Sequence, residues 1–216
     1  HEHFVTHCDI ALSCWKMWNT IWVTESGIGR SELFGICLPG KRISVIQGND
    51  YFELVHLATH ELGHNLGADH DGEGDAKDCP ATDLFIMTPN IPRSYPGKPY
   101  SRKPWLFSRC SVRTFKEKLK QRHCLNNPGA YFDTDLWKMF TAKLPGEVYS
   151  FSEQCELING PKSVFCGVVS ADICLDLKCT DPKTGQCYTN FFNAARGTKC
   201  GKDMWCKEGL CVGKKS

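Results

Sequence analysis

The sequence predicts an α+β fold, short strands with one long helix, followed by a small disulfide-rich module. Three observations predict it. Short β-branched and aromatic stretches precede one amphipathic helical stretch in the first third of the chain. Glycine, proline and aspartate then crowd residues 71–105. Finally, eight of the 14 cysteines fall between Cys155 and Cys211. That is about one residue in seven, above the roughly 8–10% that marks a disulfide scaffold.

Composition narrows the function classes. The 216 residues carry 26 basic and 24 acidic side chains, a net charge of only +2. Such a balance argues against an electrostatic polyanion binder, so no nucleic-acid partner is expected. A hydrophobic share of 41% with 23% charged residues fits a globular chain. No apolar run approaches the roughly 20 residues of a membrane span, so the chain has no membrane segment. An even, dense set of cysteines implies an oxidising compartment, hence a secreted, extracellular location.

The elements follow in order. Phe4–Thr6, Thr20–Thr24 and Ile43–Ile46 read as strands, with loop around Gly27, Gly29, Pro39 and Gly40. Asp50 followed by Glu53 has capping-box spacing and opens a helix. Leu54, Leu57, Ala58, Leu62 and Leu66 recur at helical spacing, and Gly67 stops it. Residues 71–105 form a long irregular segment, a length that ordered loops usually reserve for function. A second helix is predicted over Ser111–Gln121, with Val112, Phe115 and Leu119 on one face. Lys116, Lys118, Lys120 and Arg122 read as a solvated basic face. Asn126–Gly129 breaks the chain, and a short helix is expected near residues 134–140.

Chemistry concentrates in residues 60–71, HELGHNLGADHD. His60 and His64 lie four apart, so on a helix they share one face and one metal ion. Gly67 lets the chain reverse and bring His70 round as a third nitrogen ligand. Three histidines leave one tetrahedral position for water, the arrangement of a catalytic zinc site. Glu61 adjoins the first ligand and is free to take a proton from that water. His56, one turn earlier, reads as a helix-surface or supporting residue. His1, His3 and His7 read as a solvated strand face or chain end.

The pattern H-E-x-x-H-x-x-G-x-x-H with a later methionine is the metzincin signature. With Asp71 after the third histidine, it resembles the zinc motif of the reprolysin (adamalysin) metalloproteases. Phe85-Ile86-Met87-Thr88 resembles that family's Met-turn, which implies that Met87 forms an apolar floor beneath the metal. Phe107–Ser111, Phe115, Leu119 and Cys124-Leu125 are similar to the end of such catalytic domains. Residues 144–166 and 197–212 look like the disintegrin-like module of the secreted proteases with thrombospondin motifs and of tick salivary metalloproteases.

The resemblance implies a metzincin, zincin-like catalytic domain over residues 1–127, a connector over 128–150 and a disintegrin-like cysteine-rich module over 151–216. Only 59 residues precede His60. The first region therefore corresponds to the C-terminal part of the family domain, with its front strands missing. Structural Ca²⁺ belongs to the full-length family domain, but its N-terminal ligands lie outside this sequence. The family also implies Cys8–Cys14, Cys37–Cys124 and Cys79–Cys110 disulfides. The eight later cysteines allow 105 pairings, which sequence leaves open.

The function expected is secreted zinc-dependent hydrolysis of peptide bonds in extracellular proteins, with water activated by Glu61 and zinc held by His60, His64 and His70. The alternative is a catalytically incompetent fragment or an adhesion or substrate-docking protein acting through the cysteine-rich module.

Overall fold

The computed structural model describes residues 28–47, 51–89, 101–126, 135, 138, 142–189 and 193–213. The strands expected at Phe4–Thr6 and Thr20–Thr24, the Asp50 cap and the Cys8–Cys14 disulfide lie outside them. The chain divides into two compact units. One is drawn from His1–Asn49, Glu53–Pro89 and Phe107–Asp133, the other from Asp50–Phe52, Asn90–Leu106 and Thr134–Ser216.

In the first unit, β1 (Ile28–Ser31) pairs antiparallel with β2 (Ser44–Gln47), Gly29 standing opposite Ile46. Sequence reading places β2 one residue early and assigns Gly29 to a loop. Gly29 belongs to a strand because bulk is forbidden there: a Cβ on it would meet Oε1 of Glu61 at 2.1 Å. The strand therefore carries a residue that propensity counts against it.

Helix α1 (Tyr51–Asn65) is the spine of this unit. Gly67, at φ +106°, ends it. The Ala68 amide donates to the Gly63 carbonyl and the Gly67 amide to that of His64, the paired bonds of a Schellman motif. The loop between the strands satisfies further helix-end carbonyls, since the Phe34 amide donates to His64 and the Ile36 amide to Asn65. Asn65, fully buried, holds that loop in return by donating from Nδ2 to the Lys41 carbonyl at 2.9 Å.

Leu57 is buried, whereas Ala58, Leu62 and Leu66 are only half-buried. The buried side of α1 is chiefly polar: His56, His60, Glu61 and Asn65. Three 3₁₀ turns (Gly74–Ala76, Ala81–Asp83, Lys103–Trp105) punctuate the described parts of the irregular segment.

Helix α2 (Arg109–Lys118) begins two residues before its expected start. Ser108 caps it, its hydroxyl accepting from the Ser111 amide. Its buried face is Cys110, Ser111 and Thr114, with Phe115 half-buried and Val112 exposed. The Cys79–Cys110 disulfide explains this rotation away from the apolar face read from sequence, because it turns Cys110 inward. Cys37–Cys124 ties the strand loop to the chain beyond α2. Phe107 and Phe115 meet edge to face and pack against Ala68, Ile86 and Met87.

The second unit has different means. Helices α3 (Pro145–Val148) and α4 (Phe151–Asn159) precede a two-stranded antiparallel sheet, β3 (Cys179–Thr180) with β4 (Cys187–Tyr188). A three-stranded antiparallel sheet follows: β5 (Lys199–Gly201), β6 (Met204–Lys207) and β7 (Leu210–Gly213). A full capping box of Ser150 and Glu153 opens α4. The buried cluster comprises Ile158, Ile173, Leu177 and Ala194 with five cysteines, and Trp105 packs against it. Four disulfides run through this unit: Cys155–Cys179, Cys166–Cys187, Cys174–Cys206 and Cys200–Cys211. Buried Gln154 adds a polar tie, donating to the Tyr149 carbonyl and the Thr198 hydroxyl and accepting from the Ala195 amide.

Candidate active site

Helix α1 and the turn after it bring His60, His64 and His70 together. One ligating atom from each lies within 4.8 Å of the others. The ring centroids of His60 stand 4.8 Å from His64 and 5.2 Å from His70. His56 is buried, not on the helix surface, and is not one of the three.

The second nitrogen is hydrogen-bonded in two of the rings and faces a carboxylate in the third. Nδ1 of His60 lies 2.7 Å from the Ile86 carbonyl, and Nδ1 of His64 lies 2.8 Å from that of Ala68. A carbonyl oxygen only accepts, so both Nδ1 atoms carry the proton. Nδ1 of His70 faces Oε2 of Glu73 at 3.4 Å. Burial lowers the pKa of His60 to about 4, opposed by its bond to Ile86 and helped by the neighbouring histidines. Burial likewise lowers that of His64. Both rings are therefore neutral near pH 7, with Nε2 a bare lone pair.

The donor set fits zinc. Nε2 of His64 and Nε2 of His70 face each other at 3.1 Å. With His70 carrying its proton on the Nδ1 that faces Glu73, both Nε2 atoms would present lone pairs to a cation placed between them. Two ligands at about 2.05 Å from a tetrahedral zinc stand roughly 3.3 Å apart.

Glu61 is buried beside the triad, and Oε2 has no hydrogen-bond partner among the described residues. Desolvation raises its pKa to about 7. That places the carboxyl where it both takes and returns protons near neutrality.

Met87 is fully buried. A Cβ on Gly63 would meet its sulfur at 2.4 Å, so the glycine inside HELGH is what lets this methionine lie against α1. The Met87 segment is fixed from two sides. The Ile86 carbonyl holds His60, and the Met87 carbonyl accepts from the Asp71 amide at 2.8 Å. Asp71, itself buried, accepts from the Ser108 hydroxyl at 2.6 Å and so ties the third-histidine turn to the start of α2. Burial raises the pKa of Asp71, partly offset by the Ser108 bond.

Sequence reasoning missed several supports. The Ile86 and Ala68 carbonyls have no side-chain signature. Ser108 was legible only as part of a resemblance, and Glu73 only as an acid three residues after His70. The basic run also divides. Lys116 and Lys120 are exposed, but Lys118 donates to the Gly67 carbonyl at 3.2 Å and lies 3.0 Å from Asp75. Arg122 lies over the Phe34 ring at 4.0 Å.

A helix bearing two of three convergent histidines, with a buried glutamate and a buried methionine packed against it, is the arrangement that the metzincin signature anticipates. Residues 13–128 match the model of the reprolysin (M12B) family of zinc metalloproteases, and the chain belongs to that family. Residues 145–212 match the ADAMTS cysteine-rich domain 2.

Curated relatives agree. The chain is 32% identical over 187 residues to human "A disintegrin and metalloproteinase with thrombospondin motifs 7", covering 86% of this chain and 10% of that protein. It is 31% identical over 194 residues to human "A disintegrin and metalloproteinase with thrombospondin motifs 20", covering 88% of this chain and 9% of that protein. It is 32% identical over 216 residues to mouse "A disintegrin and metalloproteinase with thrombospondin motifs 18", covering 98% of this chain and 16% of that protein. The chain thus spans about a tenth to a sixth of the length of these relatives.

Proposed function

We propose that this chain carries the catalytic centre of a secreted zinc endopeptidase that hydrolyses peptide bonds in extracellular proteins. His60, His64 and His70 hold the zinc through Nε2, and Met87 is the apolar floor beneath them. One observation carries the reading: three imidazoles converge, two with Nδ1 bonded to backbone carbonyls and the third with Nδ1 facing a carboxylate, and the residue after the first is a buried glutamate with an oxygen unpartnered among the described residues. Bound zinc supplies Lewis acidity to a water and to the scissile carbonyl.

The chain's own residues do the rest. Glu61 takes the water's proton on its carboxylate and hands it to the departing amine. Its burial keeps bulk water from competing for that proton. Gly29 places β1 directly beside Glu61, so a peptide added as a further strand along β1 would pass the carboxylate. The organisation proposed is a protease part through residue 127, a connector over 128–150 and a cysteine-rich module over 151–216.

A peptide-cleavage assay on the zinc-loaded full chain tests this. Glu61→Gln is expected to lower kcat/KM by about 10²–10⁴-fold while zinc content stays unchanged. Cleavage that survives either this change or a zinc chelator would refute the assignment.

A second role is supported for the module. Val164, Val168 and Val169 are exposed on it, Val168 at 82%, as apolar residues of a docking surface would be. Val168→Asp should slow cleavage of a folded protein substrate and spare a short peptide; equal effects on both would remove this role.

A further inference from the structure

We propose that Glu73 is a positioning residue for His70, holding the third ligand's ring through its Nδ1 proton. The inference rests on the reading of the three histidines as zinc ligands. The three rings are not held alike. Backbone carbonyls, which no substitution removes, fix His60 and His64 at 2.7 and 2.8 Å. At Nδ1, His70 alone of the three faces a side chain, Oε2 of Glu73 at 3.4 Å.

The local sequence H-D-G-E builds this contact. The Glu73 amide donates to the His70 carbonyl at 3.0 Å, closing a turn. Gly72, the third residue of that turn, has φ +93°, the left-handed value that such a position demands in a type II turn. The turn sets Glu73 back beside the ring it follows.

Further bonds fix the backbone of Glu73 although its side chain is 63% exposed. The Ala76 amide donates to the Glu73 carbonyl at 2.7 Å, and the Gly72 amide to that of Ala76 at 3.1 Å. Asp69 pins the same loop by accepting from the Asp75 amide at 2.9 Å. A carboxylate on the outer nitrogen of a ligating histidine fixes its tautomer and orientation, and its loss typically weakens metal binding 10–100-fold. Its exposure puts Glu73 at the lower end of that range.

The test is zinc affinity of the full chain, measured by competition with a chromophoric chelator, beside the unfolding midpoint of the zinc-free protein. Glu73→Ala should raise the zinc Kd about tenfold. Glu73→Gln, whose amide oxygen keeps an acceptor facing Nδ1, should stay within about threefold of the parent. Neither should move the zinc-free midpoint. An affinity in Glu73→Ala within twofold of the parent overturns the proposal. Equal weakening in both variants also overturns it, since that would be a charge effect, and so does a matching fall in the zinc-free midpoint. A parent chain that binds no zinc would sink the ligand assignment itself, and this inference with it.

Discussion

The two units differ in what dominates their interiors. The interior of the first is largely polar: His56, His60, Glu61, Asn65, Asp71, Ser108, Ser111 and Thr114 are all buried there. Its compact apolar clusters are small, Ala68, Ile86 and Met87 in one and Ala76 with the Cys79–Cys110 pair in the other. In the second unit five of the nine clustered core residues are cysteines, and four disulfides run through and around that core. One unit fills much of its interior with polar side chains. The other holds short strands in place with covalent links, as small folds with little apolar volume must.

The difference predicts where each unit breaks. The largest stability effect should come from the second unit. Removing Cys174–Cys206 as a serine pair opens a link across 32 residues, which costs about 3–4 kcal/mol by chain entropy. Hydrogen exchange, read peptide by peptide, should quicken across residues 155–211 while zinc content stays level. Loss of zinc in that variant would show that the units are not energetically separable.

Next comes Gly63→Ala, aimed at the first unit. The added methyl meets the Met87 sulfur at 2.4 Å, so the unit should lose about 1–3 kcal/mol. Chemical denaturation of the zinc-free chain checks this; a neutral result would mean that Met87 can yield without cost. The smallest effect is Lys118→Ala. It removes the bond to the Gly67 carbonyl and a half-exposed ion pair with Asp75, together about 0.5–1 kcal/mol. A larger loss would make Lys118 a principal clamp on the turn between the second and third histidines.

Legibility in the sequence follows the same divide. The candidate triad could be read because its geometry is local: i,i+4 on one helix, then a glycine reversal. Its supports could not, because a carbonyl from Ile86 or Ala68 looks the same whatever side chain it bears. Strand β1 was hidden because Gly29, a poor strand former, answers to Glu61 and not to propensity. The face of α2 was misjudged because a disulfide at Cys110, and not the spacing of Val112 and Phe115, sets its rotation. In the second unit the eight cysteines themselves could be read. The choice among pairings was made by packing around Ile158, Ile173 and Leu177, which spacing does not encode.

The central claim is that His60, His64 and His70 form one zinc site. Metal analysis of the purified full chain beside His64→Ala, with disulfides verified in both, addresses it most directly. The parent chain should hold about one zinc tightly, and the variant should retain none through dialysis. A parent without zinc, or a variant that keeps it, would contradict the account.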